Sequence, residues 1–382
     1  MPDNRELTAP LFQPISIGKL TVPNRTVMAP MGRLFAEDGV QPPEAASYYS
    51  RRAAGEVGLI ICEATGVDHP MSQDSGVVPR MHGDAALASW KRVVDAVHAV
   101  GGKVVPQLFH QGMLRGGVAS DGTLDSARPS GTIGTPGSTS FAPDFIEKAL
   151  TPTRPMTDSE IQDVIDGFAR SAANAAALGF DGIAIHGAHG YLIDGFLWNE
   201  SNSRSDRFGG DQRQRTTFAV EVIKAVRSAI GSDLPIIFRF SQHKSHNYDA
   251  RLVERPEDLE AIVGPIVDAG VDALDTSIRR FWQPAFDGSP LSLAGWTKKL
   301  AGNIPVITVG SVGLNNTASE TFLKQEGGEV DNIPDLMERF NAGEFDMVAI
   351  GRSLIGDPDY VRKLRTGEPP IPFTRAQLMS MA

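Results

Sequence analysis

Eight short runs of branched and apolar residues recur along this sequence, and segments with helical periodicity lie between them. Such alternation is typical of repeated parallel strand and helix units. Because the runs extend from position 26 to position 350, at roughly 40 residues per unit, they predict a closed (β/α)₈ TIM barrel with long loops at its C-terminal face, rather than an open, doubly wound sheet. The predicted strands are Thr26–Ala29, Gly58–Glu63, Lys103–Phe109, Gly182–His186, Pro235–Phe240, Ala273–Thr276, Pro305–Val309 and Met347–Ile350.

Helix boundaries can be predicted where capping residues stand. Thr157-Asp158-Ser159-Glu160 fits a capping box, an apolar period follows it, and Gly179 ends the helix. Similar patterns predict further helices, each close ahead of a strand. They cover Ala85–Val100, Arg213–Ile230, Pro256–Ala269 and Ile333–Asn341.

The stretch Gly112–Pro152 is rich in Gly, Ser, Thr and Pro. We interpret it as a long excursion after the third strand, of the kind that forms lids or ligand walls on barrels. Neither side of it could close a barrel alone. A chain of 382 residues can form one large barrel, so we predict a single domain over 1–382.

Charge and composition exclude several partners. The net charge is -10 and the basic residues are scattered, so we expect no nucleic acid partner. The N-terminus lacks a basic start followed by an apolar stretch, and no long apolar run occurs, so we expect a cytoplasmic protein that does not enter a membrane. The single Cys62 excludes an intrachain disulfide and a four-cysteine iron–sulfur site. The sequence leaves open whether the chain forms a homo-oligomer.

Polar residues concentrate where the predicted strands end, which is where barrels carry their working groups. Several of these segments and two later ones form a pattern. They are Met28-Ala29-Pro30-Met31, Gln107-Leu108-Phe109-His110, His186-Gly187-Ala188-His189-Gly190-Tyr191-Leu192, Asn202 to Gly210, and Gly351-Arg352. In this order they resemble the old yellow enzyme family of FMN-dependent oxidoreductases over nearly the whole chain. The resemblance implies non-covalent FMN, NADH or NADPH as hydride donor, and an electron-poor alkene as small-molecule substrate.

The resemblance places the flavin ring over the strand ends. Gln107 can both donate to and accept from the pyrimidine edge. Arg239 would stabilise the negative charge that develops there when the flavin takes hydride. Residues near the first and second strand ends would let the ring lie close to the backbone. They are Ala29, Pro30, Met31, Gly32 and Ala64.

The FMN phosphate needs backbone N–H donors and positive charge, which barrels supply after strands seven and eight. Gly310 and Ser311 follow the seventh predicted strand, and Gly351 and Arg352 follow the eighth. A glycine pair alone usually means a tight turn, but this position favours a phosphate site.

The catalytic residues implied by the resemblance follow the fourth strand. His186 and His189 would hydrogen-bond a substrate carbonyl oxygen and polarise the alkene. Tyr191 matches the position that delivers a proton to the carbon opposite hydride attack. Each of these residues has a structural alternative. A histidine is often a structural residue whose hydrogen bonds are satisfied within the protein, and Tyr191 could simply pack against Phe196. Another interpretation is a metal hydrolase, whose metal would be bound by His186, His189, Glu63 and His110. The other strand ends offer few further ligands to complete the coordination sphere, so we predict no metal.

Two regions outside the catalytic set have structural interpretations. Asn202 to Gly210 is read as a turn network that braces the loop after strand four. Arg279 to Trp282 either wall the substrate or nicotinamide site or pack the barrel rim.

Three positions depart from the family pattern. Gly32 stands where Thr or Cys commonly touches flavin O4, Met113 interrupts a His-x-Gly-Arg motif that begins at His110, and Leu34 replaces an aromatic residue. Two alternative functions stay open: an FMN-dependent oxidative N-demethylase on the same barrel, and a flavin-binding protein without turnover.

Overall fold

The computed structural model describes residues 4–115, 127–318, 320–321 and 331–381. Its strands are β1 Ile15–Ile17, β2 Leu20–Val22, β3 Thr26–Met28, β4 Leu59–Gly66, β5 Val104–Phe109, β6 Ile183–His186, β7 Ile236–Ser241, β8 Ala273–Ser277, β9 Val306–Val309 and β10 Met347–Ile350. Within the described residues, β3 to β10 form a closed barrel in which each strand pairs in parallel with its sequence neighbour and β10 pairs with β3. The predicted (β/α)₈ barrel is therefore confirmed.

All eight predicted strands are present, and only one differs much in extent. The second continues to Gly66, three residues beyond the predicted end at Glu63. The reason is a register shift against β5 between Ile61 and Ala64, after which pairing resumes with Ala64 opposite Gln107. A bulge of this kind leaves no mark on the apolar pattern.

Helices follow the strands and cover the outside of the barrel. The predicted helix after Thr157 begins with a complete capping box to Glu160 and ends at Gly179 in the left-handed conformation. The helices are Asn4–Thr8, Glu44–Ala54, Asp84–Ala99, Pro143–Leu150, Asp158–Leu178, Leu192–Leu197, Thr217–Ile230, Pro256–Asp268, Leu293–Leu300, Ile333–Asn341, Arg352–Gly356 and Tyr360–Thr366, with 3₁₀ turns at Ala9–Phe12, Gly112–Leu114, Gln214–Thr216 and Arg375–Met379. No helix in the described ranges is long and apolar enough to cross a membrane.

A hairpin that the sequence pattern did not indicate precedes the barrel. Strands β1 and β2 pair antiparallel, with Ile17 opposite Leu20. Ile17 and Val22 are fully buried in the apolar cluster that fills the barrel interior. The hairpin therefore contributes to the barrel core. Three-residue strands are too short to give a clear alternating pattern.

The barrel interior positions the candidate site. Alternate residues of each strand point inward, and the lower layers are apolar, with Val105, Ala184, Ile237 and Ala273 among them. Two residues further along each of those strands, the inward positions become polar. They are Gln107, His186, Arg239 and Asp275, all nearly inaccessible to solvent.

The excursion after β5 packs over the loop that follows β7. Gly137 N donates to His246 O, Tyr248 N donates to Ser138 O, and Thr139 Oγ1 donates to Ser245 O. Residues 116–126 of the predicted excursion lie outside the described residues. The described part therefore packs against the loop after β7, and its role as a lid or ligand wall stays a prediction.

The turn network predicted between Asn202 and Gly210 connects this excursion to the barrel. Nδ2 of Asn202 donates to the carbonyls of Phe196 and Phe208. The Arg204 guanidinium donates to the carbonyls of Pro129 and Met156. These bonds are structural, in agreement with the role predicted for the segment.

Candidate active site

A cavity of about 280 Å³ opens at the C-terminal ends of the barrel strands. It collects residues from the ends of β3, β7, β8, β9 and β10 and from the loops after them. The predicted residues on its surface are Ala29, Pro30, Met31, His189, Arg239, Gly310, Ser311, Gly351 and Arg352. The other predicted residues, which are Gly32, Ala64, Gln107, His186 and Tyr191, lie outside its lining.

Arg239 lies at the floor of this cavity with little access to solvent. Its Nη2 donates to Ser277 Oγ at 3.1 Å, and its Nη1 lies 3.3 Å from Asp275 Oδ2. Nε and Nη1 have no hydrogen-bond acceptor among the described residues. Burial lowers the pKa of Arg239 and raises that of Asp275, and the opposite charge of each partner counteracts the shift. The guanidinium therefore retains donor capacity toward a ligand above it.

Gln107 points into the barrel interior from β5, three strands away from β8. Its Nε2 is buried without an acceptor in the described part of the protein. Ala64 pairs with it across β4 and β5 and adds no bulk beside the amide. An unsatisfied buried amide is costly, so this group is expected to meet a ligand.

The two histidines after β6 form an edge-to-face pair, with ring centroids 5.1 Å apart. His186 Nδ1 has no partner among the described residues, whereas His189 Nε2 lies 2.8 Å from Ser277 Oγ. Burial, with a smaller contribution from Arg239, lowers the pKa of His186 to about 3. Burial and the nearby His243, His186, Arg239 and Lys244 hold the pKa of His189 well below its usual range. Both imidazoles are therefore neutral near pH 7, and each can donate one N–H.

Tyr191 lies against the same pair. Its ring contacts Phe109 edge-on at 4.6 Å and His186 at 5.2 Å between centroids. Phe196, the structural alternative as its packing partner, stacks instead on Phe218. Burial raises the pKa of Tyr191 to about 12, and a hydrogen bond with the Ser245 side chain opposes this rise. The phenol is therefore protonated near pH 7.

The loop after β9 needs glycine at Gly310. Its φ is 151°, and a Cβ there would lie 2.7 Å from the carbonyl oxygen of Ile278. Ser311 adopts φ 53°, and its hydroxyl lies 3.0 Å from Arg279 O and 2.9 Å from Asn316 O. The backbone here makes a sharp turn along the cavity wall.

Arg352, the first residue of the helix after β10, directs its guanidinium toward the segment after β9. It donates to the carbonyl oxygens of Asn316 and Thr317 and to the hydroxyl of Thr321. Burial lowers the pKa of Arg352 to about 10, and Glu320 opposes this shift. Its charge therefore lies at the same end of the cavity as Gly310 and Gly351.

Several cavity residues were not predicted from the sequence. Ser277 bridges Arg239 and His189, His243 lies 5.0 Å from the His189 ring, and the Tyr248 hydroxyl bonds Ser140 at 2.6 Å. Ser277 ends β8, whereas His243 and Tyr248 belong to the loop after β7, whose path has no sequence signature. Of the predicted Arg279 to Trp282 segment, Arg279 lines the cavity and Phe281 is fully buried.

The residues that a metal hydrolase would require are engaged elsewhere. Glu63 accepts Gln41 Nε2 at 2.9 Å and the backbone N–H of Arg33 at 2.8 Å. His110 Nε2 lies 3.0 Å from His69 Nδ1. Among the residues that the structure describes, no cluster of three or more His, Cys, Asp or Glu could hold a metal ion.

Comparison with known proteins gives the family. Residues 10–370 match the model of the NADH:flavin oxidoreductase / NADH oxidase family. The chain belongs to this family. An NADH oxidase of Thermoanaerobacter brockii is 34% identical over 94% of this chain and 51% of its own length. A 12-oxophytodienoate reductase 7 of Oryza sativa subsp. japonica is 32% identical over 94% of this chain and 89% of that protein.

Solved structures give the same relationship. Morphinone reductase in complex with tetrahydroNAD superposes with a TM-score of 0.75 at 25% identity, covering 97% of both chains. An old yellow enzyme homologue from Zymomonas mobilis superposes with a TM-score of 0.76 at 25% identity, again covering 97% of each. The chain spans about half the length of the Thermoanaerobacter NADH oxidase. Family membership confirms the resemblance, the flavin oxidoreductase class and FMN as the cofactor.

The described residues fit FMN. Two buried donors, on Arg239 at the cavity floor and on Gln107 outside the cavity lining, lack acceptors among the described residues, as expected where a flavin edge would lie. At the other end, a Cβ on Gly351 would lie 3.3 Å from Met31 Sδ and would press on the end of that side chain. These observations agree with a pyrimidine edge over Gln107 and Arg239 and a phosphate near Gly310 and Gly351.

Gly32 is the departure from the family that the structure clarifies. Its φ is not in the left-handed range, and a Cβ would meet only Leu34 Cδ2, at 3.7 Å. A Cβ therefore has space at this position, and backbone conformation does not require glycine here. The Glu63 carboxylate stabilises the turn after Gly32 by accepting the backbone N–H of Arg33. Leu34, the next residue, has a φ of 60° and a side chain that is 58% exposed.

Proposed function

We propose that this protein reduces the activated C=C bond of α,β-unsaturated carbonyl compounds with hydride from NADH or NADPH. The observation that carries the proposal is the cluster of His186, His189 and Tyr191, because it joins two neutral N–H donors to a protonated phenol beside the cavity. Relatives named 12-oxophytodienoate reductase and morphinone reductase support this substrate class.

The histidines would bind the carbonyl oxygen of the substrate. His186 has an Nδ1 without a partner in the described structure, and His189 can exchange its bond to Ser277 for one to the substrate. Because both rings are neutral near pH 7, they act as fixed dipoles rather than as acids. Preorganised donors aimed at developing negative charge are the largest contribution in many enzymes.

Arg239 and Gln107 would hold the pyrimidine edge of FMN. FMN, when bound, supplies a carrier that takes hydride from the nicotinamide and gives it to the β carbon of the alkene. Tyr191 would donate its phenolic proton to the α carbon, so that one hydride and one proton complete the reduction. A phenol whose pKa is about 12 remains protonated at neutral pH and matches a strongly basic carbanion.

The proposal is tested by half-reactions. The purified protein should release FMN on heating, and NADH or NADPH should bleach its flavin in the absence of oxygen. Reoxidation is then measured with 2-cyclohexenone and with a quinone, which needs no proton on carbon. In Tyr191→Phe the enone reaction should slow by about 10²–10⁴-fold while the quinone reaction is retained.

Tyr360→Phe is the matched control, because Tyr360 lies in the helix Tyr360–Thr366 and does not line the cavity. It should keep the wild-type ratio of enone to quinone rates. An equal loss with both oxidants in Tyr191→Phe would contradict the proton-donor role. Flavin bleaching by an N-methyl amine without any enone reaction would favour the demethylase, and no electron transfer at all would favour a flavin-binding protein without turnover.

A further inference from the structure

A buried carboxylate lies directly beside the arginine that faces the flavin site. Asp275 pairs in register with Arg239 across β7 and β8 and is 1% exposed. Its Oδ2 is 3.3 Å from Arg239 Nη1, and neither of its oxygens accepts a hydrogen bond from the described residues. Neither the predicted site nor the similarity to known proteins gives this residue a role.

The position of Asp275 differs from that of the other polar groups around Arg239. On β8 it points inward, one layer above the apolar Ala273 and one layer below Ser277, whose hydroxyl accepts Nη2 of Arg239 at 3.1 Å. Ser277 belongs to the cavity lining, whereas Asp275 does not. The carboxylate therefore acts on the cavity through Arg239 rather than by contact with a ligand.

Charge compensation follows from this geometry. In a medium of low dielectric constant, a carboxylate about 3–4 Å from a guanidinium cancels much of its potential at a third site. The pair Arg239–Asp275 then presents oriented N–H donors to a flavin edge with little net positive charge. An uncompensated guanidinium would stabilise negative charge on the flavin much more strongly.

We propose that Asp275 is a positioning residue that offsets the charge of Arg239 and so limits how strongly the protein stabilises the reduced, negatively charged flavin edge. The inference rests on the proposed function, because a flavin held too firmly in its reduced form is a poor hydride donor to an alkene. A purely structural Asp275 would only hold the guanidinium in place.

Sulfite binding to the flavin distinguishes a charge-offsetting Asp275 from a purely structural one, and it can be measured without catalytic turnover. Sulfite adds to N5 of oxidised flavin and places negative charge on the pyrimidine edge, so its dissociation constant, read from the bleached flavin spectrum, reports that charge. In FMN-loaded Asp275→Asn we expect sulfite to bind about tenfold more tightly and the flavin midpoint potential to rise by about 30 mV, the same free energy for a two-electron couple. Asp275→Glu, which keeps the charge, should stay close to wild type.

Asp233→Asn is the matched control, because it makes the same change of net charge at a side chain 83% exposed and paired with Lys19. It should leave sulfite binding unchanged. Unchanged or weaker sulfite binding in Asp275→Asn that retains FMN overturns the proposal.

A second comparison applies if Asp275→Asn does not fold or retain FMN. Arg239→Gln is compared with the double variant Arg239→Gln/Asp275→Asn, in which no charge of the pair is left buried. The double variant should regain part of the sulfite affinity that Arg239→Gln loses, and failure to regain any overturns the proposal. A wild-type protein that binds no FMN would contradict the proposed function instead, so the two failures are distinguishable.

Discussion

Replacement of Lys244 by methionine tests the support beneath the substrate-binding loop. Lys244 Nζ lies 2.8 Å from Asp194 Oδ1, and both side chains are completely buried. Asp194 Oδ2 also accepts the backbone N–H of Gly190 at 2.6 Å, between His189 and Tyr191. Burial raises the pKa of Asp194 and lowers that of Lys244, while each is opposed by its partner. The pair is thus a buried ion pair that fixes the loop carrying the candidate catalytic groups.

The expected loss follows from the uncompensated carboxylate. Removing one partner of a buried ion pair costs about 3–5 kcal/mol, whereas replacing both partners is often nearly neutral. An unfolding entropy of about 2.1 cal/mol/K per residue over 382 residues converts this cost to a fall in Tm of about 4–6 °C for Lys244→Met. Lys244→Met/Asp194→Asn should recover at least about 1.5 kcal/mol of it, because Asn still accepts from Gly190 and carries no charge.

The assay is thermal unfolding followed by circular dichroism, with FMN saturating in every variant because bound ligand raises Tm. Affinity for a phenol inhibitor, measured on the folded variants, reports the loop separately and should fall in Lys244→Met. Additive losses in the double variant, or a fall in Tm below about 1 °C in Lys244→Met, would refute the reasoning.

Two further predictions concern the predicted site. Gly32→Thr should fold normally, because a Cβ there has space. It should raise the flavin midpoint potential by at most about 30 mV, which is the equivalent of one added neutral hydrogen bond. A potentiometric titration that finds the potential unchanged or lowered would speak against a contact between the introduced threonine and flavin O4. His186→Ala should slow enone reduction by about 10²–10³-fold and spare flavin reduction by nicotinamide. Because the pKa of His186 is about 3, wild-type enone affinity should not vary around neutral pH, and a histidine-like transition near pH 6.5 would contradict a neutral donor.

The barrel could be predicted because its signals are local. Branched runs, a capping box at Thr157 and glycine at 179 each depend on a few neighbouring residues. The site residues at strand ends followed from the same reasoning, since parallel strands bring their carboxyl ends together. Sequence reasoning therefore found Arg239, His189 and the glycines of the cavity wall.

What the sequence did not reveal depends on distant parts of the chain that meet in space. The pairing of Lys244 with Asp194 joins the loop after β7 to the helix Leu192–Leu197, 50 residues away in the sequence. Ser245 O accepts from Thr139 of the excursion, across 106 residues. Asp275 had a usable signal, because a carboxylate in the middle of a buried strand must find a buried partner. The partner is identified as Arg239 only by the structure, in which β7 lies beside β8 and places Arg239 opposite Asp275.

The neutrality of the buried imidazoles also gives the folded protein an acid limit. Burial holds the pKa of His186 and of His243 at about 3, and keeps that of His110 well below its usual range. In the unfolded chain such groups take up protons near pH 6.5. Their folded pKa values lie below the unfolded ones, so their contribution to stability is complete above about pH 6.5 and declines as the pH falls toward 3. Acidification therefore favours unfolding through the same environment that keeps His186 a neutral donor.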